Sequence, residues 1–181
     1  MQKLEDKILL LQIKSGREEA FRVLYRNYIN SIYKYIFLKI GSSADAEDLA
    51  ENVFFKFWAY IKEGKSISNI KAFLYKIAHN SVVDYYRMKS TREGKETMTL
   101  EEAENKHFVS SMKVISDIDK KDQMHKLEQA LLKLKVEHRE IVILKYIEGL
   151  NSKEISEIMN KSQMAVRVQI HRAVKSLKQI W

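Results

Sequence analysis

The chain has 181 residues, 45% hydrophobic and 31% charged, which is a globular composition and not a disordered one. It has no Cys, excluding a disulfide scaffold, a thiolate metal site and a cysteine nucleophile, and with no Pro and only 5 Gly it favours long helices over a turn-rich sheet fold. Lys and Arg number 32 against 24 Asp and Glu, and the net +8 points to a polyanionic partner, most commonly nucleic acid.

The opening MQKLEDKILLLQIKSGREEA sets acids ahead of a short apolar run and carries no cleavage signal. No stretch approaches the ~20 apolar residues of a membrane helix. A soluble cytoplasmic protein without membrane insertion is expected. Phe21, Leu24, Tyr25, Tyr28, Ile32, Tyr35 and Ile36 recur at three- and four-residue steps, predicting one face of a long helix that Gly41 ends. Ser42 with Asp45 resembles a capping box opening the next helix, in which Leu49, Val53, Phe57 and Ile61 face the core. Gly64 closes it, and KSISN leads into a helix over 69–90 carrying Ile70, Phe73, Leu74 and Ile77.

Residues 91–122 hold eight acids and six bases, a net −2 that leaves +10 on the rest of the chain. With Gly94, many Ser and Thr and no sustained apolar period, this stretch reads as a flexible linker with room for one short helix. Beyond it, Leu127, Leu131 and Leu134 form one stripe, and Ile141, Leu144, Ile147 and Leu150 a second, capped by Gly149. Ser152 is the N-cap expected for SKEISEIM, and a last helix runs from about Gln163 to Gln179. The fold class expected is all-α: small helical domains at 1–92 and 122–181, joined by a linker at 93–121.

Two short helices about three residues apart, the second basic, make the helix-turn-helix pattern. From Lys161 onward the charged residues are Lys161, Arg167, Arg172, Lys175 and Lys178, with no acid. Val166, Ile170, Val174 and Leu177 would pack the last helix down, leaving Gln163, Arg167, His171 and Arg172 outward. The helix dipole accounts for Lys175 and Lys178 but not for Lys161 and Arg167. In the helix over 69–90, Lys71, Tyr75, Lys76, His79, Asn80, Tyr86 and Arg87 form a mixed face, suited either to stacking and neutralising unpaired nucleic acid or to plain solvation. The acids Asp45, Glu47, Asp48 and Glu51 satisfy a helix N-terminus, dock a basic surface, or serve a carboxylate nuclease that would need a divalent metal. No His lies at coordinating spacing from them. The histidines His79, His107, His125, His138 and His171 show no metal-binding spacing, and no phosphate-cradling or nucleophile motif occurs. No enzyme, metal site or cofactor is expected.

Several segments together resemble an extracytoplasmic-function sigma factor of the bacterial sigma-70 family. DAEDLAENVFFKFW is similar to the family's region 2.2, IKAFLYKIAHNSVVDYYR to regions 2.3 and 2.4, and LKVEHREIVILKYIEGLNSKEISEIMNKSQMAVRVQIHRAVKSLK to region 4. The resemblance covers nearly the whole chain outside the linker. It implies a region 2 bundle of three or four helices that docks core RNA polymerase through Asp45, Asp48, Leu49, Glu51, Val53 and Phe54. It implies capture of the opened −10 element by Lys65, Ser66, Asn69, Phe73, Tyr75, Lys76, His79, Asn80 and Arg87, and reading of the −35 element by Lys161, Ser162, Gln163, Arg167, Val168, His171 and Arg172. Promoter DNA, core polymerase and an anti-sigma factor are the partners implied, with a monomer when free.

Three departures from the family pattern stand out. Val168 and Gln169 replace the polar-basic pair that commonly follows the recognition-helix valine, so that Val168 either meets a thymine methyl or packs inward. Two prolines often found in region 4 are absent, with Lys135 or Val136 and Ser162 in their places; Ser162 can still cap the helix. The competing reading is a stand-alone helix-turn-helix regulator, which predicts a dimer on a palindromic site.

Overall fold

Residues 2–93, 102, 104, 105, 108, 130, 131 and 133–180 are described by the computed structural model. They divide into two units, Met1–Phe37 with Ser42–Arg87, and Leu38–Gly41 with Met88–Trp181. Leu127 and nearly all of the 93–121 linker, with its expected flexibility, lie outside the described residues.

In the first unit a helix α1 (Gln2–Lys14) precedes the long helix read from the aromatic spacing, α2 (Glu18–Ile40), whose last residues from Leu38 belong to the second unit. Gly16 takes φ +87° between them, a left-handed value that favours glycine. Two further helices follow, α3 (Ser43–Lys62) and α4 (Ile70–Glu93). Leu24, Tyr28 and Ile32 of α2 are buried with Val53, Phe57 and Ile61 of α3 and Leu74, Ala78 and Val82 of α4, as the three- and four-residue steps require. Leu49 is half-buried at the edge. Edge-to-face rings tie α2 to α3, with Phe21–Trp58 and Tyr25–Phe54 centroids both 4.8 Å apart. Tyr35 meets Tyr75 of α4 at 5.1 Å. Such pairs add about 0.5–1.5 kcal/mol each beyond the area they bury. The Tyr28 hydroxyl donates to the buried Asp6 carboxylate at 2.6 Å, pinning α1 to α2.

The second unit contains α5 (Val136–Val142), a π-helical turn (Ile143–Ile147), α6 (Ser152–Ile158) and α7 (Gln163–Ile180). Ile141, Leu144, Leu150, Ile155, Ile158, Val166 and Ala173 form its core. Ile147, expected in that stripe, is instead 56% exposed. The cause is the wide turn: the Glu148 amide reaches back five residues to the Ile143 carbonyl at 2.9 Å, so the four-residue register is lost and Ile147 rotates outward. Gly149, at φ +69°, then redirects the chain. The α6 cap is Asn151 and not Ser152, because Asn151 and Glu154 form a full capping box: Asn151 Oδ1 accepts from the Glu154 amide at 3.0 Å, and the Asn151 amide donates to Glu154 Oε2 at 2.8 Å. Asn160, at φ +51°, makes the turn into α7.

Two buried cations organise the same unit. Lys39 Nζ lies 3.2 Å from Glu104 Oε2 and 3.2 Å from Glu140 Oε1. Burial alone would lower its pKa, but the Glu140 and Glu104 carboxylates outweigh burial and raise it. Arg139 donates to the Leu131 carbonyl at 2.9 Å, the Leu134 carbonyl at 3.0 Å and Asn105 Oδ1 at 2.7 Å, and its guanidinium sits 3.9 Å from the Phe108 ring centroid. Burial pushes this guanidinium down to about 10, still well above neutral, so it stays charged.

Candidate nucleic-acid interface

Ser162 caps the first turn of α7: its Oγ accepts from the Ala165 amide at 3.1 Å. Val166 and Ala173 are buried and Ile170, Val174 and Leu177 half-buried, so the spacing places the packing side as expected. Gln163, Met164, Arg167, Val168, His171 and Arg172 are exposed on the other side. Val168 is therefore a surface position and not a packing one. Lys161 is already engaged, its Nζ 2.8 Å from Glu137 Oε1, while Glu137 Oε2 accepts from Gln169 Nε2 at 2.9 Å. Glu137 thus fixes the turn that precedes α7.

A second cluster forms where α3 meets α4. Asn69 Oδ1 accepts from the Ala72 amide at 3.1 Å and so caps α4. The Phe73 ring lies 4.5 Å from Tyr60 and 6.1 Å from Phe57. Lys65 stands 5.0 Å over the Tyr60 ring and pairs with Glu63, whose carboxylate raises the ammonium pKa. Ser66 is exposed beside it. Along α4 the exposed residues Lys76, Asn80, Val83 and Arg87 follow at steps of four, three and four, which is one helix face, with half-buried His79 at its margin. Arg87 pairs with Asp84 at 3.3 Å. Tyr75 and Tyr86 correct the sequence reading. Tyr75 is 0% exposed and packs edge-on against Tyr35, and Tyr86 is buried too, so neither ring is open to a base.

The third surface is acidic. At the start of α3, Ser42 Oγ accepts from the Asp45 amide at 3.4 Å, and Asp45 Oδ2 accepts from the Tyr85 hydroxyl at 2.9 Å. Asp45 is thereby half-buried and spoken for, whereas Glu47, Asp48 and Glu51 are exposed. Val53 and Phe54, expected among the docking residues, are instead buried in the core beneath this surface, Phe54 against Tyr25, and so present no face to a partner. Phe55, one residue on, is 73% exposed beside Glu51 and Asp48. Among the described residues no three His, Asp or Glu gather as a group that could hold a metal ion.

Comparison with known proteins decides what these surfaces belong to. A model of sigma-70 region 2 matches residues 24–92, and a model of sigma-70 region 4 matches residues 124–177. RNA polymerase sigma factor YlaC of Bacillus subtilis is 31% identical over 160 residues, covering 88% of this chain and 91% of that protein. ECF RNA polymerase sigma factor SigW of the same organism is 26% identical over 92% of this chain and 91% of its own length.

The chain belongs to the sigma-70 family, in its extracytoplasmic-function group.

The all-helical fold agrees with a solved relative, the sigma factor RpoE of Bartonella quintana in complex with the anti-sigma factor NepR, at a TM-score of 0.61 and 16% identity over 88% of this chain and 95% of that one. As a sigma factor the chain directs transcription initiation. Its region 2 match takes in α3, most of α2 and nearly all of α4, and its region 4 match takes in α5, α6 and most of α7. A stand-alone regulator would leave the region 2 match without a role. Among the described residues no helix of this sigma factor is long and apolar enough to cross a membrane.

Three surface residues escaped the sequence reading. Phe55 lies between the packing positions Val53 and Phe57, and Met164 two residues before Val166, so only the helical register turns them to solvent. Tyr60 is tied to the α4 cluster through a ring contact that joins residues 13 apart in sequence, a pairing that no local period signals.

Proposed function

We propose that this sigma factor divides promoter recognition among its three surfaces. The exposed acids of α3 dock core RNA polymerase, the α3–α4 junction with the exposed α4 face holds the opened −10 element, and α7 reads the −35 element in the major groove. The observation that carries this reading is the opposition of charge. From Lys161 on there is no acid, whereas α3 turns Glu47, Asp48 and Glu51 to solvent. A phosphate backbone attracts the first surface and repels the second, so DNA and a basic protein surface are sorted without competition.

Holding a strand open requires a group that rewards an extruded base, because unstacking costs a few kcal/mol. The rings of Tyr60 and Phe73, with Lys65 and Asn69 beside them, supply stacking, charge and an amide at one place. Lys76, Asn80 and Arg87 continue a polar track for the strand. Tying two modest DNA contacts to one polymerase raises their effective concentration, so neither needs to be tight. The protein acts as a monomer in the cytoplasm, adds no chemistry of its own and needs no cofactor. An anti-sigma factor restrains it, as NepR is bound to RpoE in the related structure.

The test is transcription by holoenzyme reconstituted from the full chain and bacterial core polymerase on a selected promoter. Asp48→Lys should abolish initiation, Arg167→Ala should remove dependence on the upstream element, and Lys76→Ala with Asn80→Ala should suppress permanganate reactivity of thymines in the melted region. Wild-type initiation by the Asp48→Lys and Arg167→Ala proteins would overturn the assignment.

A further inference from the structure

We infer that the first half of α7 recognises thymine by its 5-methyl group, through Met164 and Val168; this rests on the reading of α7 as the helix that enters the major groove. Met164 is 71% exposed and Val168 43%. Four residues apart, they lie one above the other on the same face. Scattered exposed apolar side chains are ordinary. These two are in register, within the first two turns, and set among Gln163, Arg167, His171 and Arg172. They are not surplus core either, since Val166 and Ala173, with Ile170, Val174 and Leu177, already complete the packed side.

Their surroundings fix the occupant. A strip bordered by two arginines and free of acid from Lys161 onward attracts a polyanion, and the DNA phosphate backbone is one. The amino-terminal residues of a recognition helix are those that reach base edges. In the major groove the apolar group on offer is the thymine methyl; the other edge groups are donors and acceptors. Arg167 can take a guanine edge, whereas Met164 and Val168 have nothing to offer a donor or acceptor and lose by desolvating one. Along the helix they are about 6 Å apart, roughly two base-pair steps, so the thymines they meet lie within about two steps of each other.

The experiment uses holoenzyme made from the full chain and bacterial core polymerase. Duplexes randomised over the upstream element are selected for binding, and each thymine of the winning element is replaced in turn by deoxyuridine, which deletes only the methyl. We expect at least one replacement to weaken binding by about three- to five-fold, the worth of one buried methyl group. We expect that loss to vanish in Met164→Ala or Val168→Ala, whose exposed positions leave the fold intact. A specific upstream element whose thymines tolerate deoxyuridine everywhere would overturn the inference while leaving α7 as the reading helix. So would a methyl effect that survives in both variants. Failure to select any upstream element would overturn both together.

Discussion

Phe54 and Phe55 are adjacent, chemically identical and opposite in role. About 100° of helical rotation sends one against Tyr25 and the other into solvent beside the acids of α3. Phe54→Ala should therefore cost about 3–5 kcal/mol of stability in denaturant unfolding, the range for a buried aromatic. Phe55→Ala should leave stability nearly unchanged and weaken polymerase binding, because exposed aromatics in an interface centre are the side chains that carry affinity. The reverse pattern would mean that the surface has been assigned to the wrong side of α3. The sequence shows that the run is aromatic, and Val53, Phe57 and Ile61 at four-residue steps locate the core; it does not show which neighbour of a stripe tips inward. Tyr75 illustrates the same limit, a tyrosine among cations whose ring nonetheless packs on Tyr35.

At the same scale, Lys39 is a buried ammonium between two carboxylates. Its pKa is raised above the ordinary 10.5, so the folded state holds its proton more tightly than the unfolded chain does. The stability this supplies is complete below 10.5 and is lost as pH climbs through the raised value. Lys39→Met should cost about 3–5 kcal/mol at neutral pH by stranding Glu104 and Glu140. The stability lost through the substitution should stay constant from about pH 7 to about pH 10 in denaturant titrations. A loss that shrinks already near pH 8 would show that the pair does not hold the proton as described. No helical period could have paired Lys39 with Glu104, 65 residues away.

Among elements, the caps were the most legible. Ser42 and Ser162 sit just ahead of apolar-periodic runs and do cap them, and Gly41 and Gly149 take the left-handed values expected of them. Ser162→Ala should cost about 0.5–2 kcal/mol of stability. It should also weaken −35 binding several-fold at unchanged salt dependence, since it loosens the first turn of α7 without removing a phosphate contact. A changed salt slope would instead place Ser162 at the DNA backbone. The π-helical turn was not legible. Ile141, Leu144, Ile147 and Leu150 fit a helical stripe on spacing, and only the five-residue hydrogen bond at Glu148 reveals that Ile147 has left it. Asn151 displaced Ser152 as a cap because its partner Glu154 stands three residues on, a relation present in the sequence but masked by a plausible neighbour.

For the whole molecule, charge and the absence of Cys and Pro favoured long helices and a polyanionic partner, and the family models match residues 24–92 and 124–177. What spacing alone does not yield is the assignment of faces, because the same amphipathic helix serves equally well as core, dock or reader until its neighbours are known. The central claim is that the acidic face of α3 joins this sigma factor to polymerase. Size-exclusion co-elution of the purified chain with bacterial core RNA polymerase, wild type beside Asp48→Lys, tests it most directly. The account predicts a stoichiometric complex with wild type and its loss in the variant, with helical content unchanged. A variant that co-elutes as well as wild type, or a wild-type chain that forms no complex at all, would contradict it.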